Sequence, residues 1–189
     1  MFKIIKLTLA LTACGYLFAA APRGWFLAGS QPKSYDTGVD SSVLHAGRPS
    51  AYLKSTVSSP QGFGTLMQSF AADNYRAKRI RLSAYVKSSQ VGEWAGLWMR
   101  VDKGRESVAF DNMQTRPIKG TMDWTEYAVV LDVPSDATGI SFGILLTEAG
   151  AVWLSDLRLE VVDSTTPVTA PKTMPAVPKE ATNLSFLGG

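Results

Sequence analysis

The side chains best suited to ligand chemistry lie in one stretch, residues 94–116: Trp94, Trp98, Arg100, Asp111, Asn112, Gln114 and Arg116. Strand periodicity puts Trp98 and Arg100 on one face and Leu97, Met99 and Val101 on the other. Trp94 falls just upstream, and Asp111, Asn112, Gln114 and Arg116 follow on the next strand or loop. An indole covers the apolar face of a polar ring, while guanidinium, amide and carboxylate groups bond its hydroxyls. The set therefore suits a polyhydroxylated ligand. A structural reading stands beside it, in which a loop covers Trp98 and Arg100 pairs with Asp111 as a buried link.

Catalytic chemistry finds less to work with. The chain has one histidine, His45, and one cysteine, Cys14. A Ser-His-Asp triad would have to use His45, which sits just before a Gly47-Arg48-Pro49 turn. Carboxylate pairs such as Glu93 with Asp111, or Glu106 with Asp111, lack the apolar surroundings that would raise one pKa. Zinc sites usually draw on several His and Cys ligands, and this chain offers at most one of each. No catalytic residue, cofactor or metal is expected, and the chain is read as no enzyme.

The elements that must position these residues are strands. Four runs alternate with period two: Ile80, Leu82, Ala84 and Val86; Leu97, Met99 and Val101; Tyr127, Val129 and Leu131; Ile140, Phe142, Ile144 and Leu146. Turn residues separate the runs, among them Gly47-Arg48-Pro49, Ser59-Pro60-Gln61-Gly62, Pro134-Ser135-Asp136 and Ala149-Gly150. Residues 70–77 could close a single helical turn. Trp124 and Trp153, each embedded in a strand phrase, are expected in the core. The pattern predicts an all-β antiparallel sandwich.

Several phrases carry a resemblance. His-Ala-Gly-Arg-Pro-Ser-Ala-Tyr-Leu-Lys at 45–54, Gly-Thr-Leu-Met-Gln at 64–68 and Arg-Ile-Arg-Leu-Ser-Ala-Tyr-Val-Lys at 79–87 resemble the strands of galactose-binding-like jelly rolls. Asp123-Trp124-Thr125-Glu126-Tyr127 and Val152-Trp153-Leu154-Ser155-Asp156-Leu157 look like that family's closing strands. The resemblance covers about residues 24–162. It implies a jelly roll similar to carbohydrate-binding modules, with a concave outer sheet face for the ligand, and so a non-catalytic binding module with glycan as the favoured ligand class. The alternative is a structural or protein-interaction module of an envelope complex. The opening, Gly24-Trp25-Phe26-Leu27-Ala28-Gly29-Ser30, lacks the family's acidic phrase and does not support a calcium site.

The flanks give an address. Residues 1–21 read as a signal peptide or membrane anchor: Lys3 and Lys6 precede a short apolar run. Leu11-Thr12-Ala13-Cys14 resembles a lipobox, with Cys14 the lipidated residue; an uncleaved anchor and free secretion remain open alternatives. This predicts an exported, membrane-anchored protein of a bacterial envelope. Four of the ten prolines fall in 163–189, read as a disordered, Pro-rich linker or tail. The net charge of +3 includes Lys3 and Lys6, so the domain itself is nearly neutral, and no basic stripe suggests nucleic acid. The expected partners are a carbohydrate or an envelope protein, and the membrane through the N-terminal segment.

Overall fold

A computed structural model describes residues 21–170. Residues 1–20 with Cys14, and residues 171–189 of the predicted tail, lie outside the described residues. The described residues are 67% strand and 4% helix. The nine strands are β1 (Phe26–Gly29), β2 (Tyr35–His45), β3 (Arg48–Ser55), β4 (Phe63–Ala71), β5 (Lys78–Lys103), β6 (Glu106–Asp111), β7 (Ile118–Val133), β8 (Gly139–Thr147) and β9 (Ala151–Val162). All pairings are antiparallel. The helical turn expected in 70–77 is present as a 3-10 turn, Asp73–Tyr75.

The long strand β5 explains the architecture. Its first half pairs with β9 and β7, and its second half with β8 and β6. Between them the register slips repeatedly against β7, and Gln90 takes a left-handed backbone conformation. Opposite the slip, Gly120 of β7 pairs with Val91 at a φ of 66°, which a glycine adopts without steric cost. One curled sheet thus folds into two leaves, consistent with a β-sandwich. The first leaf runs β2-β3-β9-β5-β7 and the second β1-β4-β8-β5-β6.

The core lies between the leaves. The predicted one-sided sets enter it: Ile80, Leu82, Ala84 and Val86 from one half of β5, Leu97, Met99 and Val101 from the other. Val129 and Leu131 of β7 and Ile140, Phe142, Ile144 and Leu146 of β8 join them, with Tyr127 packed at the margin. Alternation then fixes what faces outward: Trp98 and Arg100 point away from this core, as the periodicity predicted.

Trp124 and Trp153 depart from the expectation that they are core. Both are half-buried on the outer face of the first leaf. Their indole N–H groups donate outside the core, Trp124 to the Leu44 carbonyl at 3.0 Å and Trp153 to Asp40 Oδ2 at 3.0 Å. Aromatic side chains with a polar handle suit a face that is apolar at one end and wet at the other. The first residues past β9 are tied down. Arg79 donates to the Ser164 and Thr166 carbonyls, both at 2.7 Å, and Thr169 Oγ1 accepts from Val130 N at 2.7 Å. With Thr169 N donating to the Val130 carbonyl at 3.0 Å, this segment covers part of the free edge of β7.

Candidate functional site

The outer face of the second leaf carries a groove of about 500 Å³, within the range of small-molecule and cofactor sites. Strand register builds it row by row. Phe63, Thr147 and Trp94 form one row, followed by Thr65, Leu145 and Gly96, then by Met67, Gly143 and Trp98. Arg100 stands opposite Phe110 in the last row. Ala28 and Gly29 of β1 close one side, and Phe110 with Asn112 closes the other.

Trp98 is part of the groove wall and is held tightly. It is only 7% exposed, and its Nε1–H donates to Thr65 Oγ1 at 2.8 Å. Since β8 lies between β5 and β4, the indole must lie across β8, where Gly143 opposite Trp98 presents no side chain. Gly143 has a second constraint: a Cβ there would lie 2.2 Å from the Leu66 carbonyl oxygen. Thr65 passes its own hydroxyl proton to the Ile144 carbonyl at 2.9 Å. Trp94 is clamped in a similar way, its N–H donating to Thr147 Oγ1 at 3.2 Å and its carbonyl accepting from the same hydroxyl at 2.9 Å. Tyr35 supports the Phe63 end from below. Its ring packs under Gly64, and its hydroxyl donates toward the Gly62 and Glu148 carbonyls. Burial, then the Glu148 and Glu93 carboxylates, push that phenol up to about 12, so it stays neutral.

The turn after β6 decides which predicted residues reach the groove. Asp111 Oδ1 accepts from Met113 N at 2.9 Å, and Met113 takes a φ of 61°. This aims Asn112 at the groove and turns Asp111 inward, where it is 2% exposed. Gly96 permits the approach, since a Cβ there would lie 2.7 Å from the Asn112 carbonyl oxygen. Asp111 is paired, but with Arg116 rather than Arg100: Arg116 donates to it at 3.2 and 2.8 Å and also to the Ala128 carbonyl at 3.0 Å. Arg100 instead pairs with Asp102 at 2.9 Å.

Four of the seven predicted site residues, Trp94, Trp98, Arg100 and Asn112, therefore meet in one groove. Asp111 and Arg116 form a structural ion pair behind it, and Gln114 is exposed outside it. The sequence reading missed Phe63, Thr65, Met67, Phe110, Leu145 and Thr147. Alternation could have found three of them: if Leu66 is core, then Phe63, Thr65 and Met67 share the opposite face. That they stand beside Trp98 follows only from the β4-β8-β5 order, which the sequence does not display.

Chemically the groove can hold a ligand and has little with which to transform one. Among the residues that line it there is no carboxylate, histidine, cysteine or serine, and Arg100 is its one charged group. No cluster of three or more metal-ligating His, Cys, Asp or Glu side chains occurs among the described residues. His45 lies on the other leaf, where Nδ1 meets Asp156 Oδ2 at 2.6 Å and the ring stacks on Tyr85 at 4.2 Å. Burial acts to raise the Asp156 pKa, but hydrogen bonds from His45 and Arg48 outweigh it and hold the carboxyl below its usual range. This contact clasps the β2–β3 hairpin to the sheet.

Comparison with known proteins bears on the fold: the structural neighbours are consistent with a galactose-binding-like jelly-roll domain. No family model matches the chain. The CBM22-1 xylan-binding domain from Paenibacillus barcinonensis Xyn10C superposes with a TM-score of 0.54 at 13% identity, over 78% of this chain and 91% of its own. A Family 16 Carbohydrate Binding Module-2 gives 0.52 at 17% identity, over 70% and 92%. The Stig cyclase Fisc from Fischerella sp. TAU gives 0.53 at 14% identity, over 76% and 87%. In sequence, the chain is 45% identical over 166 residues to YbfP of Bacillus subtilis (strain 168), described as an uncharacterized HTH-type transcriptional regulator. The match covers 87% of this chain and 56% of that protein, so the chain spans little more than half the length of this relative.

Proposed function

We propose that the protein is a non-catalytic glycan-binding module, carried at the outer face of a bacterial envelope by its N-terminal segment. The observation that carries the reading is the groove itself: Trp94, Phe63 and Phe110 line it with aromatic rings over the nearly buried Trp98, Arg100 and Asn112 offer hydrogen bonds, and no acid-base pair accompanies them. Carbohydrate-binding modules among proteins of similar fold support the same ligand class. Enzymes also use this fold, as the cyclase shows, so the non-catalytic reading rests on the lining of the groove. The envelope address rests on Lys3, Lys6 and the tetrapeptide ending in Cys14. YbfP's description concerns DNA-linked regulation, whereas the described residues here form strands and two 3-10 turns, with no helix-turn-helix among them.

A second reading, a docking face for an envelope protein, has one observation in its favour. Phe63 and Phe110 are 36% and 45% exposed on this face, and Phe26, which pairs with Met67 beside the groove, is 46% exposed. A glycan array probed with the full chain and with Trp94→Ala separates the two. The glycan reading expects a discrete set of bound structures, lost or weakened at least tenfold in the variant. An array on which the wild-type chain binds nothing overturns it.

A further inference from the structure

The groove has an unusual balance of hydrogen-bonding groups, and from it we infer that the ligand is an acetylated glycan, recognised through its acetyl groups. The inference rests on the glycan reading above and narrows it. A sugar hydroxyl bound by a protein donates its own hydrogen to an acceptor, and a carboxylate is the strongest one a protein can supply. This groove offers none. Asp111 is turned into the protein, and Asp102 is tied to Arg100. Both threonine hydroxyls on the groove give their protons to backbone carbonyls, of Ile144 and Trp94, and each already accepts one N–H. Asn112 Oδ1 accepts from Gln114 N at 3.2 Å.

What remains are donors. The Nη1 group of Arg100, the Nδ2 group of Asn112 and the indole Nε1 of Trp94 have no partner among the described residues. Arg100 and Asn112 both line the groove, and the Asn112 carbonyl lies against Gly96 of β5. The remaining floor is apolar: Met67, Leu145 and Ala28. A site of N–H donors beside an apolar floor matches a carbonyl joined to a methyl group. The carbonyl only accepts, and the methyl is better buried than hydrated. A uronate would offer acceptors too, but the charge of Arg100 is already met by Asp102 at 2.9 Å, and an added carboxylate would face that anion.

Acetyl groups occur on sugars as O-acetyl esters and as N-acetyl amides, and the test separates these sources. Calorimetric titration of the full chain would use acetylated xylan, the same polymer after alkaline deacetylation, a chito-oligosaccharide and the matching cello-oligosaccharide. The expected result is at least tenfold tighter binding, about 1.4 kcal/mol, to one acetylated partner than to its unacetylated counterpart. Preference in the xylan pair alone assigns the ester, and preference in the chito/cello pair alone assigns the amide. In the double variant Arg100→Met, Asn112→Ala the preference should vanish while melting stays near wild type. Equal binding to both members of each pair, or preference for the unacetylated ones, overturns the acetyl inference and leaves the glycan reading standing. Binding to none of the four, with none on the array either, overturns both.

Discussion

Replacing Trp98 by alanine probes the point at which fold and groove meet. The indole is nearly buried, and its N–H donates to Thr65 at 2.8 Å, yet it packs on the outer face and not in the core between the leaves. A sealed core site would make a Trp→Ala change cost about 3–5 kcal/mol. Here the space left is continuous with the groove, so water can enter it and the cavity part of that cost shrinks. Thr65 also keeps its bond to the Ile144 carbonyl and is not orphaned. We therefore expect a loss of about 2–3 kcal/mol. For a domain of this size that corresponds to a fall in Tm of roughly 4–12 °C. Trp98→Phe keeps most of the packing and loses only the hydrogen bond, for about 1 kcal/mol. Thermal melts followed by circular dichroism give both numbers, and glycan titration of the folded Trp98→Ala protein gives the binding loss. An unchanged Tm for Trp98→Ala would refute the placement of the indole across β8. Complete unfolding would show that Trp98 is core in effect and that the groove is a secondary feature.

Three other outcomes are expected. Hydrogen bonds from Ser42 and Trp153 hold the Asp40 carboxyl down at about 2, below its ordinary 3.8. A carboxylate with a depressed folded pKa stabilises above its unfolded value, and that stability is lost as pH falls from about 4 through 2; Asp40→Asn should flatten this acid limb in a pH-dependent melting series. Arg116→Ala strands the buried Asp111 carboxylate, and because Arg116 is itself partly exposed the cost should fall near the lower end of the range for broken buried pairs, about 3 kcal/mol, with glycan affinity of the folded fraction unchanged in titration. Cys14→Ser, expressed as the full chain in a bacterium, should abolish lipid labelling and reduce membrane fractionation; unchanged labelling would remove the lipoprotein reading.

The fold was legible because the core-facing runs on either side of the bend each obey period two. The sets on β5, β7 and β8 announce which residues are buried, and by default which face outward. Trp98 and Arg100 were placed on the correct face by that logic alone. Three things were hidden. The bend over residues 88–95 of β5 carries no strong turn residue apart from Gly92, so one strand serving two leaves was invisible in the sequence. Asp111 and Asn112 are neighbours in a phrase of polar residues, and only the turn at Met113 sends one inward and the other to the groove. Trp124 and Trp153 are each embedded in a strand phrase, yet the edge hairpin and Asp40 satisfy their indole N–H groups outside the core.

The central claim is that ligand binds on the outer face of the second leaf, and the protein carries reporters on both faces. Five tryptophans supply five indole N–H signals: Trp94 and Trp98 at the groove, Trp124 and Trp153 on the opposite leaf, and the partly buried Trp25 packed edge-on against the core residue Phe142. Two-dimensional NMR of the 15N-labelled full chain, titrated with the tightest ligand from the array, reads them together. The account predicts that the Trp94 and Trp98 indole signals and the Asn112 side-chain amide shift with a common dissociation constant, while Trp124 and Trp153 stay still. Shifts confined to Trp124 and Trp153, with Trp94 and Trp98 unmoved at saturation, would contradict it.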